Sequence, residues 1–233
     1  RARDLFKGMV ERGIHKDWLG FTALNISQDP ETLDYMAKSG NFGMLVGIES
    51  TNETVLKKMN KQVNLKLGTD SYFDCIQKIH NAGLVVWGSV VFGADGDDKD
   101  SFKRMTDFIL ENNIDILTFG INCPFPKTQL YARLDSEKRI FRKNYPEDWQ
   151  YYDTAHVVHR FVDMTLEDFI EGMQYIYDHI YASDNLRTRF RNSIKTTKNP
   201  RNSMFAFRVG SDWKQVFEQV LQNLKELYDS GDY

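Results

Sequence analysis

The stretch from Leu84 to Asp98 constrains the fold of this chain more than any other part of the sequence. It begins with a valine-rich apolar run that reaches Phe92, a composition typical of a strand buried on both faces of a parallel sheet. It ends in a turn of glycine and aspartate residues. An amphipathic helix pattern follows directly, with Phe102, Met105 and Ile109 on one face. This order of strand, turn and helix predicts a ligand site at the carboxyl end of a parallel strand.

Three further apolar runs have the character of strands in the same sheet, namely Trp18–Ile26, Phe42–Ile48 and Asp115–Ile121. Each leads into a helix pattern or a polar loop, which predicts parallel strands joined by right-handed crossovers. A closed (β/α)8 barrel needs about 250 residues, far more than this region contains. The α/β region is therefore either an open doubly wound sheet or part of a larger TIM-like barrel, with about four parallel strands in this chain.

Helix signals divide the chain near residue 140. Before that point, Asp29 and Pro30 predict a capped helix start, and two more helices are expected near Glu53–Met59 and Thr69–Ala82. After it, Thr165 and Asp168 form a capping-box pattern before a strongly amphipathic helix. A last helix is expected over about Asp212–Tyr228. We therefore predict a partial barrel over residues 1–140 and a mostly helical carboxyl-terminal extension over residues 141–233.

Composition narrows the class of protein only mildly. The net charge of −3 gives no general nucleic-acid signature, and no apolar segment is long enough to span a bilayer. The two cysteines, Cys75 and Cys123, form neither a disulfide framework nor a metal-ligand pattern. These features favour a cytoplasmic protein. The chain opens without methionine inside a helix pattern, which favours a fragment of a longer protein.

Three strand ends carry a family resemblance. The segments Val46–Ser50 (VGIES), Gly88–Asp97 (GSVVFGADGD) and Asn122–Tyr131 (NCPFPKTQLY) resemble, in this order and spacing, consecutive strand ends of radical S-adenosylmethionine (SAM) enzymes. The group with a cobalamin-binding domain is most similar. The lead-in Trp18–Gly40 and the stretch Tyr152–Thr165 also resemble that group, so that the resemblance covers roughly residues 1 to 185.

The resemblance implies a partial (β/α) barrel of which this chain holds the last four strands. It also implies SAM as cofactor, with a [4Fe–4S] cluster and cobalamin in the full-length parent. The family's cluster loop has the pattern C-x3-C-x2-C, which leaves the fourth iron free for SAM. That loop is absent here, so the chain alone is not expected to perform radical chemistry.

The resemblance implies SAM contacts from the polar and glycine residues at the strand ends and from the strand residues beside them. Glu49 and Ser50 would hold the ribose or the methionine part, although Ser50 or Thr51 could instead cap the next helix. Many relatives carry Asp at the position of Asn25, on the first predicted strand, and Glu at that of Asp97, whose shorter side chain favours a helix cap. The full set of candidate contacts is Asn25, Glu49, Ser50, Gly88, Ser89, Val91, Phe92, Gly93, Asn122 and Pro124.

Other conspicuous residues have a plainer interpretation. His156 and His159 lie in a stretch that reads as extended, which places them on opposite faces and argues against a metal site. The basic segment from Arg187 to Arg201 lacks interleaved aromatic residues, so we interpret it as a solvated face or a loop rather than an RNA or phosphate site. The Pro124–Pro126 loop is a stiff exit from the barrel. Catalytic residues cannot be named from this sequence.

The function indicated is the carboxyl-terminal part of a cobalamin-dependent radical SAM methyltransferase-like enzyme, supplying ribose and adenine contacts and part of the substrate wall. A radical methylthiotransferase or cyclase-type relative is one alternative, and a non-catalytic α/β scaffold is another. Expected partners are a small-molecule substrate and the amino-terminal part of the parent. Self-association is a further expectation, because the edge of the Trp18–Ile26 strand would be exposed unless the first helix or a second copy covers it.

Overall fold

The computed structural model describes all 233 residues and contains one parallel sheet of four strands in the order β1-β2-β3-β4. The α/β class and the parallel strands are therefore confirmed. Sequential strand order with a helical connection between neighbours is the arrangement of a βα-repeat sheet. The strands are β1 (Trp18–Thr22), β2 (Asn41–Glu49), β3 (Val85–Phe92) and β4 (Ile116–Ile121).

Ten helices surround this sheet, and their starts follow local capping signals. The Asp29 carboxylate accepts the Thr32 N–H at 3.1 Å, and Thr165 and Asp168 form a complete capping box. The helices are α1 (Ala2–Glu11), α2 (Pro30–Lys38), α3 (Glu53–Lys58), α4 (Gln62–Leu67), α5 (Tyr72–Asn81), α6 (Ser101–Glu111), α7 (Gln129–Ser136), α8 (Leu166–Ile180), α9 (Ser183–Thr197) and α10 (Pro200–Ser230). None of them has the length and apolar character of a membrane span.

One face of the sheet is fully covered by helices and forms the main core. Alternate strand residues such as Val46 and Val90 point into it and are buried with residues of α5, α6 and α8. Phe102 of α6 stacks on Phe92 at 5.1 Å between ring centres and meets Phe169 of α8 edge-on at 5.4 Å. The core is thus continuous across residue 140, and the division of the chain there stays a prediction.

The opposite face, which we call the open face, is covered only over its amino-terminal half. There α10 lies against the strands, with Trp213 edge-on to Trp87 at 6.1 Å and Phe205 against Phe42 at 4.3 Å. The carboxyl half of the open face carries small or polar residues that remain half-exposed. This contrast leaves a shallow recess beside the carboxyl ends of the strands.

The two edges of the sheet differ. The Ile121 N–H at the β4 edge donates to the Thr154 carbonyl at 2.7 Å, and Phe119 packs against Phe217 of α10 at 4.2 Å. The outer edge of β1 has no paired strand, and Phe21 is 78% exposed. Helix α1 reaches β1 only at its start, where Phe6 stacks on Trp18 at 4.7 Å. A partner at this edge stays a prediction.

One predicted strand differs from the structure near the amino terminus. The first strand ends at Thr22 rather than Ile26, because Leu24–Gln28 folds into a 3-10 turn that buries Leu24 before α2 begins. Asn25 therefore lies in that turn with an exposed side chain, and not on a strand.

The basic segment is helical rather than a loop, and α10 begins at Pro200 instead of near Asp212. The buried side of α9 holds Arg189, Ser193 and Thr197, which gives no apolar periodicity to recognise. The Arg189 guanidinium donates to the carbonyl groups of Ile114 at 3.1 Å and Ile180 at 3.0 Å. Arg189 is therefore a buried, hydrogen-bonded exception, while the other basic side chains of the segment lie on an exposed face, namely Arg187, Arg191, Lys195, Lys198 and Arg201.

Candidate functional site

Glu49 closes β2 in an unusual backbone conformation that turns its side chain over the open face. Its φ is +65°, and the register with β3 shifts between Gly47 and Glu49. The carboxylate Oε1 lies 2.8 Å from the Lys61 ammonium group. It also lies 2.6 Å from the point where a Cβ on Gly47 would stand. A bulge at a strand end commonly re-aims a side chain, and here it brings a carboxylate onto the sheet surface.

The side-chain amide of Asn64 holds the end of β2 in place through hydrogen bonds. Its amide nitrogen lies 2.9 Å from the Gly47 carbonyl, 3.2 Å from the Ile48 carbonyl and 2.8 Å from the Tyr72 hydroxyl. Burial raises the pKa of Tyr72 to about 12, so that this hydroxyl stays protonated. The bulge is therefore held by buried hydrogen bonds rather than by the chain direction alone.

Two hydroxyl groups continue the polar surface across the sheet. Gly47, Ser89 and Thr118 stand side by side in register on β2, β3 and β4, all half-exposed. The hydroxyls of Ser89 and Thr118 make no hydrogen bond within the chain, and Val91 lies one step further along the same face. Since unpaired hydroxyls donate and accept readily, this row suits a polar ligand lying flat on the open face.

The turn after β3 is closed by Asp97. Its carboxylate accepts the N–H groups of Gly93 at 3.0 Å and Ala94 at 3.2 Å. Burial raises the pKa of Asp97 to about 6 in spite of these bonds. The expectation that Asp97 caps the next helix is wrong. At the start of α6, the Ser101 hydroxyl instead donates to the Asp98 carboxylate and accepts the Asp98 N–H. The Asp97 carboxylate is required inside the turn, because the N–H groups of Gly93 and Ala94 would otherwise have no hydrogen-bond partner.

Residues from the carboxyl-terminal part fasten the same turn from outside. Asp95 accepts two bonds from Arg139, the shorter at 2.7 Å, and a further bond from Arg133. Although burial opposes it, these arginines lower the pKa of Asp95 to about 2. Asp163 accepts the Gly96 N–H at 2.8 Å. The shape of the strand end therefore depends on residues far along the chain.

Beside this turn lies a cleft of about 380 Å³ above the carboxyl ends of the strands. Lys58 and Met59 form one wall, and Leu130 and Arg133 of α7 form the other. Asn122, which follows β4, lies at its base between the cleft and the open face. The volume is in the range of small-molecule sites.

The structure separates the predicted contact residues into groups. Glu49, Ser89, Val91 and Asn122 lie toward the open face or the cleft. Gly88 and Phe92 point into the helix-covered core, where a Cβ on Gly88 would stand 2.8 Å from Ile48.

The remaining predicted residues take other positions. Ser50 is buried, and its hydroxyl accepts the Asn52 N–H at 3.1 Å, while the Asn52 side chain caps α3. The Gly93 N–H is already bonded to Asp97, and Pro124 is buried. Asn25 lies in the turn after β1. The ligand roles of all ten residues stay predictions.

Three residues at the site were not recognised from the sequence. Thr118 is the one polar side chain in β4, and the strand alternation could have placed it beside Ser89. Lys61 directly precedes α4 and Asn64 lies within that helix. Neither gave a local signal, because their partners at the end of β2 become neighbours only in the folded chain.

The chain's own residues do not fit an iron–sulfur cluster or another metal ion. Both cysteines are buried, and burial raises the pKa of Cys123 to about 11. No three side chains of His, Cys, Asp or Glu converge. His159 is buried, which lowers its pKa to about 4, and His156 pairs with Asp153 at 3.0 Å.

The fold and the strand-end site define the class: a sheet of βα repeats with a ligand face at the carboxyl ends of its strands. Comparisons with known proteins narrow this class. A family model described as a domain of unknown function, DUF4070, matches residues 128–228. Bacteriochlorophyllide d C-12(1)-methyltransferase of Chlorobaculum tepidum is 28% identical over 188 residues, 81% of this chain and 39% of that protein. Hopanoid C-2 methylase of Rhodopseudomonas palustris is 31% identical over 143 residues, 60% of this chain and 27% of that protein.

The fold is shared with a solved radical SAM methyltransferase. TsrM from Kitasatospora setae, with a tryptophan substrate and a SAM analog bound, aligns with a TM-score of 0.59 at 13% identity. The alignment covers 97% of this chain and 50% of that one. The chain is therefore similar in sequence to two bacterial methyltransferases and similar in fold to TsrM. It spans well under half the length of the curated relatives that it matches, 39% and 27% of the two described above.

Proposed function

We propose that this chain forms the adenosyl-binding side of a radical SAM methyltransferase site and part of its substrate wall. The observation that supports this most directly is the polar row on the open face, where the Glu49 carboxylate stands over Gly47, and Gly47 is in register with Ser89 and Thr118. The neighbouring hydroxyl groups of a ribose donate hydrogen bonds to a carboxylate, and the same carboxylate attracts the ammonium group of SAM.

Each residue has a separate role in this proposal. Glu49 accepts hydrogen bonds from the ribose or the ammonium group, and Lys61 orients the carboxylate. Ser89 and Thr118 supply hydrogen bonds across the sheet, while Val91 gives an apolar surface for the adenine ring. The half-exposed position of these residues leaves the other side of the ligand free for a second protein segment or a substrate.

When bound together, SAM and a cluster held outside this chain would supply the radical chemistry of the whole enzyme, most often methylation of an unreactive carbon. The contribution of this chain is binding and orientation, since its two cysteines cannot hold the cluster. We accordingly assign it no proton-transfer or nucleophilic step. The substrate would approach from the cleft between α3 and α7.

Isothermal titration of the 233-residue chain with SAM tests this function. We expect saturable binding that Glu49→Gln weakens about tenfold, as for the loss of one charge-assisted hydrogen bond. Glu53→Gln is the matched control, because Glu53 lies on exposed α3 and pairs only with Lys57. Absence of binding, or equal affinities for the wild type and Glu49→Gln, would favour a non-catalytic scaffold.

A further inference from the structure

The cleft beside the strand ends contains one cationic side chain without a partner. Asp95 and Glu137 pair with Arg133 and Arg139, and Glu49 at the nearby end of β2 pairs with Lys61. Lys58, in contrast, makes no ion pair or hydrogen bond within the chain, although its ammonium group reaches over the turn near Gly96. The ionic groups at the cleft therefore balance one another except for this single positive charge.

The remaining surface of the cleft is partly apolar. Met59 and Leu130 lie on opposite walls and are both half-buried, so that a ligand entering between them would contact apolar side chains on two sides. The amide side chains of Asn60 and Gln129 lie at the rim. A small number of polar groups around apolar walls is typical of sites for small organic molecules.

The hydrogen bonds of the turn after β3 and the charge at the cleft argue against a phosphate group. A phosphate is usually held by several free N–H groups of a turn or helix start. Here the N–H groups of Gly93 and Ala94 are bonded to Asp97, and that of Gly96 is bonded to Asp163. Free N–H groups remain at Asp95 and in the first turn of α7. The single unpaired positive charge of Lys58 is matched by a carboxylate, which carries one negative charge, better than by a phosphate ester, which carries about −1.5 to −2.

We infer that the cleft takes an amphipathic molecule bearing a carboxylate, with the carboxylate at Lys58 and the apolar body between Met59 and Leu130. This inference rests on the proposed function, since it names the substrate class of the same site. It places the substrate between α3 and α7, and it places SAM on the open face. Asn122 separates the two ligands at the base of the cleft.

The experiment is a methyl NMR titration of the chain labelled with [methyl-13C]methionine. Met59 reports on the cleft, and Met164, which lines a separate apolar cavity beside His159, reports on unspecific uptake. Octanoate is the probe, and 1-octanol and octylammonium are its neutral and cationic counterparts. We expect octanoate to shift the Met59 signal saturably, 1-octanol to bind more weakly, and octylammonium to leave the signal unchanged.

Charge variants then test the role of Lys58. An exposed ion pair contributes modestly, so we expect Lys58→Gln to weaken octanoate binding about threefold to fivefold, down to the level of 1-octanol. Lys57→Gln changes the net charge equally but lies beside Glu53 on the same helix, and it should leave binding unchanged. Equal effects of the two variants, equal shifts from all three probes, or a shift at Met164 without one at Met59 would overturn the inference.

This test is independent of SAM. If SAM binds in the calorimetric titration and octanoate fails at Met59, the proposed function stands and the substrate class is wrong. If octanoate binds as expected and SAM does not, the cleft is a carboxylate site but the adenosyl assignment fails. Tighter binding of octyl phosphate than of octanoate would contradict the choice of a carboxylate.

Discussion

The Glu49 carboxylate lies 2.8 Å from the Lys61 ammonium group while standing over the glycine at position 47. This relationship joins a strained residue with φ of +65°, a glycine without a side chain and a lysine from the next helical segment. Strain of this kind is found where the surrounding structure over-determines a functional position. The fold therefore maintains the Glu49–Lys61 pair at a cost in free energy. Substitutions that disturb the pair should have measurable effects.

Gly47→Ala should impair ligand binding more than folding. The new methyl group would stand 2.6 Å from Glu49 Oε1, the end of a flexible side chain that can move away. We therefore expect the free energy of unfolding to fall by less than about 1 kcal/mol, while the affinity for SAM falls about as far as in Glu49→Gln. Calorimetric titration and urea unfolding of the same preparation measure the two effects.

Gly88→Ala, on the same sheet, should impair folding more than ligand binding. Its methyl group would stand 2.8 Å from Ile48 and 2.9 Å from Ile114 inside the packed core. We expect a loss of about 1–3 kcal/mol in unfolding free energy from overpacking. A Gly88→Ala protein as stable as the wild type would show that the core face has been assigned wrongly.

Asp97 should make stability depend on pH between about 4 and 6. Its pKa is about 6 in the folded chain and 3.8 in an unperturbed carboxyl group, so the folded state binds the proton more tightly. The contribution of Asp97 to stability is therefore fully present below pH 3.8 and is lost as pH rises through 6. A shift of this size corresponds to about 3 kcal/mol.

Asp97→Asn removes this titration. Urea unfolding from pH 4 to 7 should show that the variant gains stability relative to the wild type as pH rises, by about 3 kcal/mol in total. Any constant cost of the amide in the turn cancels in this comparison. Parallel curves for the two proteins across the range would contradict the buried position of Asp97.

Arg139 should matter more than Arg133, although both contact Asp95. The side chains of Asp95 and Arg139 are 10% and 11% exposed, whereas that of Arg133 is 41% exposed. We expect Arg139→Gln to cost about 2–3 kcal/mol, and Arg133→Gln, the matched control, at most about 1 kcal/mol. Faster amide hydrogen exchange at Gly93 and Ala94 in Arg139→Gln alone would show that the turn has loosened. Equal losses of unfolding free energy in the two variants would mean that Arg139 does not hold the turn after β3.

Arg189→Met tests the helical assignment of the basic segment. The substitution leaves the carbonyl groups of Ile114 and Ile180 without their donor, and we expect a loss of about 2 kcal/mol in unfolding free energy. Arg187→Met, on the exposed side of α9, should change stability by less than about 0.5 kcal/mol. Similar values for both variants would contradict the buried position of Arg189.

Local signals in the sequence were sufficient for β2, β3 and β4, for the capped starts of α2 and α8, and for the position of Glu49 at a strand end. Caps such as Asp29 and Thr165 act within one helical turn, and β2, β3 and β4 are apolar runs with clear ends. Such features depend on residues close in the chain, so the pattern alone predicts them.

The rest of the site depends on contacts that no local pattern contains. Thr118 joins Ser89 only through strand register, and Arg139 reaches Asp95 across 44 residues. Helix α9 was missed because its buried side is polar and is satisfied by carbonyl groups of distant elements. Gly88 and Phe92 were grouped with the ligand contacts because a sequence does not show which face of a strand meets solvent.

The most direct test of the central claim is the detection of nuclear Overhauser effects between bound SAM and the methyl groups of the open face. In the complex we expect contacts from the ribose H1′ proton to the Thr118 methyl group and from the adenine H2 and H8 protons to the Val91 methyl groups. Contacts confined to Phe161 and Met164 in the separate apolar cavity would contradict the account. So would the absence of any contact to the sheet in a chain saturated with SAM.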